Sequence, residues 1–299
     1  MIWCLGESLY DIVFKEGQPV WAVPGGSVLN AAVSAARYGE QVTLITELGN
    51  DETGKMIADF LHRNGINTSQ IQYYSGNTTL ALAFLNETGD AHYAFYAQLP
   101  ASAPEFPLPD FRPGDVLLFG SFYAVNTRNR MNTCKLLHHA RKCGAFIYYD
   151  PNVRKSLLED PDMTLKSYKD NIAASDLVRG SDEDFIQLAG AENGEAAYRF
   201  VKECGCKQLI YTRNSAGADL FTSQFSKHFE SRQLPVVSTI GAGDSFNAGV
   251  VSTVHKHSKI SMDENFWDDA IGRAVIFASE VCCSRENFIS KPEKNQQVL

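Results

Sequence analysis

The chain has 299 residues, 44% of them hydrophobic, with 27 basic against 35 acidic side chains for a net charge of −8. That is enough apolar material for a large core, and an acidic balance without a basic run argues against nucleic acid and anionic membrane as partners. No apolar stretch approaches the ~18 residues a membrane helix needs, and residues 2–5 read as a strand instead of a signal peptide, so a cytoplasmic location is expected.

The first predicted strand, 2–5, runs into G-E-S-L-Y-D, which ends on Asp11 with no helix after it. A nicotinamide enzyme would need G-x-G-x-x-G in this turn, and Gly6 is followed by Glu7 and Ser8. Residues 24–39, P-G-G-S-V-L-N-A-A-V-S-A-A-R-Y-G, predict a helix over 27–38 opened by Gly25 and Gly26 and closed by Gly39. Asn30 sits among apolar neighbours in its first turns, where an amide is either bonded to backbone or aimed at a polyhydroxyl ligand.

A strand at 42–46 and a helix at 54–64 flank G-N-D-E-T-G-K-M, close to the nucleotide loop G-x-x-x-x-G-K-[ST]. The match fails at Met56, which offers no hydroxyl to magnesium, and Asp51 and Glu52 would put negative charge in the phosphate cradle. Residues 78–97 alternate as a hairpin with its turn around Gly89. Strands at 116–119, 146–149, 177–179 and 208–211 then alternate with helices at 126–143, 165–174, 182–188 and 196–203. This is the pattern of a doubly wound parallel sheet, whose ligands bind outside the carboxyl ends of the strands.

A last strand is expected at 234–237, leading into S-T-I-G-A-G-D-S-F-N-A-G-V and an apolar-periodic helix through Phe246, Val250 and Val254. Free amides of Gly241, Ala242 and Gly243 at the start of that helix would form an anion pocket. Asp244 would repel the anion unless it takes a proton there. Amides holding a phosphoryl group beside a proton acceptor suit phosphoryl transfer to an alcohol; the competing account is an ordinary acid in a first helical turn. The seven cysteines are an odd number without zinc spacing, and they read as thiols in a reducing compartment. The tail from Lys291 is polar.

With both glycine segments in place, G-G-x-x-x-N with Gly39 and Gly49 and then G-A-G-D-S-F-x-A-G, the whole chain resembles the ribokinase-like (PfkB) family of carbohydrate kinases. The resemblance implies an α/β fold: a three-layer, doubly wound, mostly parallel sheet with a small β-lid. It further implies one kinase domain over 1–299, with lid segments at about 11–23 and 71–98. It implies ATP and Mg²⁺ as cofactors, Asp244 as the base, and Gly241, Ala242 and Gly243 on the migrating phosphoryl group.

On the sugar side it places Asp11, Gly25, Gly26 and Asn30, with Arg154 of D-P-N-V-R facing a phosphate or carboxylate. On the nucleotide side it places Asn152, Ser181, Glu183, Thr212, Asn214 and Gly217. Ser181 and Asp184 replace the family's N-x-x-E pair, so the metal role is shared by Glu183 and Asp184, although an N-cap followed by first-turn acids accounts for the segment as well. Asn214 stands where the family has glycine, and asparagine tolerates a left-handed turn.

Fructokinases favour G-E-x-L-x-D, D-P-N-x-R and S-D-E-[ED], so phosphorylation of fructose to fructose 6-phosphate is expected. A 2-keto-3-deoxygluconate, ribose or nucleoside kinase is the alternative, and a sugar-binding regulator without catalysis is the alternative of another class. Ser238 stands where many relatives carry Asp, so activation by a monovalent cation such as potassium should be weak. A homodimer through the β-lid is expected, since both faces of the hairpin are apolar.

Overall fold

The computed structural model describes residues 1–86, 91–153, 161–257 and 263–291. In chain order its elements are β1 (Ile2–Leu5), β2 (Leu9–Lys15), β3 (Gln18–Gly25), α1 (Ser27–Arg37), β4 (Val42–Gly49), α2 (Glu52–Arg63), β5 (Ile71–Tyr74), β6 (Leu80–Leu85), β7 (Ala91–Tyr96) and β8 (Val116–Gly120). There follow α3 (Arg130–Lys142), β9 (Phe146–Asp150), α4 (Pro161–Ala173), β10 (Leu177–Ser181), α5 (Asp182–Ala189) and α6 (Gly194–Cys204). The chain closes with β11 (Leu209–Thr212), β12 (Ala218–Phe221), β13 (Ser226–Phe229), α7 (Ala242–Lys256) and α8 (Glu264–Cys282).

One sheet has the order β13-β12-β11-β10-β9-β8-β1-β4-β5, parallel from β5 to β11, with β12 and β13 antiparallel at the edge. Side chains alternate across it and thereby assign the layers. Ile2, Cys4, Val116, Leu118, Phe146, Tyr148 and Leu177 face α1, α7 and α8, whereas Leu5, Leu117, Phe119, Ile147, Tyr149 and Val178 face α3, α4, α5 and α6. α7 and α8 pack closely because Gly249 faces Ala274, whose Cα would lie 2.5 Å from a Cβ at position 249.

The lid is a second sheet, β3-β2-β6-β7, in which the β6–β7 hairpin is widened by β2, parallel to β6, and by β3. Ala81 and Ala83 are buried, Leu80 and Leu82 are half-buried, and Phe84 is exposed and stacked on Phe14. The turn around Gly89 and the tail beyond Lys291 lie outside the described residues.

Several expectations are corrected. Residues 234–237 form no strand: they run along the surface, tied by the Val237 amide to the Cys282 carbonyl at 2.7 Å, with Val236 63% exposed. A run of apolar residues was insufficient there because the adjacent sheet edge is already filled by the β12–β13 hairpin, which the sequence did not disclose; nor did it disclose β5 or α8. The helix expected from 126 starts at Arg130, since residues 122–124 make a separate 3₁₀ turn. Among the described residues no helix is long and apolar enough to cross a membrane.

Candidate active site

The carboxyl ends of the parallel strands open between the lid and the start of α7. α7 begins at Ala242 because Gly241 takes φ 81°, the left-handed region, and leaves room for the Asn287 carbonyl, 2.1 Å from where a Cβ would be. The Ala242 amide closes on the Thr239 carbonyl at 3.2 Å. Of the three amides expected to hold a phosphate, those of Gly241 and Gly243 therefore remain, joined by that of Asp244 in the first turn.

Asp244 is gripped from α1. Its Oδ1 accepts the Ser27 hydroxyl at 2.7 Å and its Oδ2 the Asn30 amide at 2.9 Å. The Asn30 nitrogen thus holds the acid and not backbone, while its buried Oδ1 has no partner in the protein. Burial lifts the Asp244 carboxyl to about 6, against the hydrogen bonds from Asn30 and Ser27 that pull it down.

Asp11, on β2, is lifted to about 7 by burial, with the charge of Asp244 adding to it. Gly25 makes this possible, because a Cβ there would lie 1.9 Å from Asp11 Oδ2. Gly26, at φ 122°, brings the start of α1 against the Glu7 carbonyl. The structure therefore brings Asp11, Gly25, Gly26, Asn30 and Asp244 together from three segments of chain. Asp51 caps α2 through the Gly54 amide and also accepts the Thr78 hydroxyl at 2.7 Å and amide at 3.0 Å, which fastens the start of the hairpin to the body.

Behind Asp244 lies a buried polar chain. Asp150 Oδ2 accepts from Arg179 Nη1 at 3.1 Å and from Asn247 Nδ2 at 2.5 Å; Asn247 Oδ1 accepts from the Tyr148 hydroxyl at 2.9 Å. Arg179 Nη2 donates to Thr212 Oγ1 at 2.8 Å. Asp150 Oδ1 accepts the Asn152 amide at 3.1 Å, and Asn152 sits at φ 37°.

Ser181 and Asp184 close a capping box on α5, and both oxygens of Asp184 are engaged, Oδ2 by Ser181 in the cap and Oδ1 by the Val153 amide after β9. Glu183 next to it is exposed. On the far side Asn214 takes φ 47° in the 3₁₀ turn before Gly217, the left-handed geometry expected of it. Arg154 lies outside the described residues. No group of three or more His, Cys, Asp or Glu side chains able to hold a metal occurs among the described residues.

Sequence reasoning missed Ser27, Asn247 and Arg179. The signal for Arg179 was present: it is a cation inside L-V-R-G-S, a strand of a sheet covered on both faces, where an unbroken apolar run is the rule. It also missed the buried pair of Glu47, near the end of β4, with Arg128, whose second contact is 2.6 Å.

Comparison with known proteins identifies the family. The sequence pattern of the pfkB family of carbohydrate kinases matches residues 1–294. Aminoimidazole riboside kinase of Salmonella typhimurium is 25% identical over 94% of this chain and 87% of its own. Fructokinase-2 of Solanum lycopersicum is 27% identical over 88% and 84%. Among solved structures, aminoimidazole riboside kinase from Salmonella enterica, complexed with aminoimidazole riboside and an ATP analog, superimposes with a TM-score of 0.88 at 23% identity, over 99% of this chain and 97% of that one. Fructokinase from Vibrio cholerae, in a fructose, ADP and calcium ion bound form, gives 0.87 at 20% identity, over 98% and 96%. The chain belongs to the pfkB family of carbohydrate kinases, enzymes that transfer a phosphoryl group to a hydroxyl.

Proposed function

We propose that the protein transfers the γ-phosphoryl group of ATP to a primary hydroxyl of a sugar, with fructose as the first candidate acceptor. The observation that carries this reading is the pairing of a raised, protein-held carboxylate, Asp244, with a helix start whose first-turn amides point to the same place. Asp244 takes the proton of the hydroxyl, the oxygen forms a bond to the γ-phosphorus, and the bond to the bridging oxygen breaks with its electron pair leaving on ADP. The amides of Gly241 and Gly243 meet the charge on the migrating group. Asp11, Gly25, Gly26 and Asn30 face the sugar, the last through its unpartnered Oδ1.

Thr212, Asn214 and Gly217 face the nucleotide, with the exposed apolar strip 234–237 as a surface for its base. Magnesium in such sites is held mainly by phosphate oxygens and water, with one or two carboxylates. The donor set fits that mode: Glu183 is exposed and within the acidic first turn of α5, whereas Asp184 is committed to capping. When bound, the ion would neutralise charge on the phosphates.

The lid is read as covering the sugar and as the dimer interface, supported by Phe84 and Tyr96, the latter 61% exposed, on one small sheet. A second reading, an aminoimidazole riboside acceptor, is favoured by the similarity to that riboside kinase. ADP release measured with fructose, ribose, 2-keto-3-deoxygluconate, aminoimidazole riboside and nucleosides tests both. Highest kcat/KM on fructose is the expected result, and highest kcat/KM on the riboside would replace fructose with it.

A further inference from the structure

We propose that Arg179 is a further catalytic residue, its guanidinium binding the phosphoryl group as that group passes from nucleotide to acceptor. The proposal rests on the ATP-dependent reading above.

Arg179 lies on β10, on the same face as Leu177, and so points under α7. A charge there must be held, and the protein holds it incompletely. Of its five N–H groups, one on Nη1 goes to Asp150 and one on Nη2 to Thr212, while Nε is buried with no partner in the protein. Only 9% of the residue is exposed. A buried guanidinium short of acceptors is costly, and such a deficit points to an acceptor that arrives with a ligand.

Position names that ligand. A Cβ built on Gly243 would lie 3.0 Å from both Nη1 and Nη2, so the guanidinium packs against the residue whose amide heads the anion pocket. An anion on that amide is within reach of the remaining Nη hydrogens. The planar fork of arginine suits a phosphoryl group better than a carbonyl.

Charge argues the same way. Asp11 and Asp244 face the pocket and Asp150 lies behind it, so a polyphosphate entering beside them needs a fixed cation, and Arg179 is the buried one adjoining α7. Asp150, Asn247 and Tyr148 form the line that fixes its orientation, with Thr212 on the other side. The competing account is a structural ion pair that only neutralises Asp150.

The test compares R179M, R179K and G243A with the unmodified protein. Turnover is measured by ADP release with the best acceptor, and affinity with AMP-PNP and with adenosine. R179M is expected to lower kcat about 100-fold, the loss typical of one transition-state donor, and to weaken AMP-PNP while leaving adenosine and the sugar KM unchanged. R179K should fall between the two. G243A places a methyl against the guanidinium in a helical position that accepts alanine. It should lower kcat in the natural background and cost little more in the R179M background.

A folded R179M with kcat near that of the unmodified protein overturns the proposal. So does an equal loss of AMP-PNP and adenosine affinity, or a G243A cost that is the same in both backgrounds. If R179M does not fold, G243A with unchanged kcat overturns it alone. Failure of the underlying reading is a separate event, seen as no ADP release by the unmodified protein with any acceptor.

Discussion

Replacing Asp244 by Asn removes a proton acceptor while the site around it can readjust. Each carboxylate oxygen now carries one donor, Ser27 at 2.7 Å and Asn30 at 2.9 Å. If the new NH₂ faces Ser27, that hydroxyl turns and accepts. If it faces Asn30, two donors meet, but the unpartnered Oδ1 of Asn30 becomes an acceptor after a flip of that amide. The hydrogen-bond cost is thus about 1 kcal/mol or less, and it is offset by removing a buried negative charge that raises Asp11.

The chemical loss is of another order. Without general-base assistance kcat should fall by ~10²–10⁴, or about 3–5 kcal/mol of barrier. AMP-PNP should bind as well as before or better, since it meets one negative charge fewer. ADP release at saturating sugar and nucleotide, with a melting curve beside it, separates the two effects. A D244N variant that melts like the natural protein and keeps kcat within tenfold would refute Asp244 as the base. So would survival in that variant of the acid limb of kcat/KM near 6, the one that Asp244 contributes in the unmodified protein.

Asp11, raised to about 7, binds its proton more tightly in the fold than in the unfolded chain, so it favours the fold below its unfolded pKa and loses that contribution as pH rises through about 7. Asp11→Asn should therefore raise Tm at pH 8 by a few degrees, from ~1–2 kcal/mol after allowing for its partial exposure, and change little at pH 4; equal shifts at both would refute the linkage. Gly249→Ala would force a methyl to within 2.5 Å of Ala274 Cα and should cost ~1–3 kcal/mol of stability with KM unaltered; an unchanged melting curve would show that α8 yields freely. Exchanging sodium for potassium should alter the rate little, since Ser238 supplies no carboxylate, and a many-fold rise would show that backbone oxygens suffice. Lys at Leu82 and Phe84 should convert a dimer to a monomer with a raised sugar KM; light scattering that finds the natural protein monomeric at micromolar concentration would end the dimer proposal.

What the sequence disclosed divides along a physical line. Strands β4, β8 and β9 are largely apolar runs, each with a helix before the next strand, so local pattern and tertiary role agree. In the edge hairpin β12 alternates buried with half-buried residues, whereas β13 alternates exposed with half-buried ones and carries Ser226 and Lys227, a polar pattern that reads as loop until a neighbouring strand pairs with it. Residues 234–237 fail in the opposite sense, being apolar enough for a strand but without a free edge to join. Their backbone finds Cys282 instead.

The site divides in the same way. Glycines and the acid of G-A-G-D are legible because their chemistry is local: a left-handed turn, a helix start and a first-turn carboxylate lie within a few consecutive residues. The groups that tune that acid are not local. Ser27 and Asn30 reach Asp244 across more than half the chain, and Asp150 meets Arg179 and Asn247 only because β9, β10 and α7 are neighbours in the fold. Sequence shows that polar residues interrupt apolar elements at Asn30, Asp150, Arg179 and Asn247, and each interruption is costly if unpaired. Four such costs in elements that pack on one another are accounted for only if they are spent on one another or on a ligand. The pairing leaves Asn30 Oδ1 and Arg179 Nε over, one an acceptor and one a donor. In the proposed reaction the first stands on the sugar side of Asp244, where an incoming hydroxyl would complete it, and the guanidinium that carries the second stands on the phosphate side, where its remaining Nη hydrogens meet the migrating phosphoryl group.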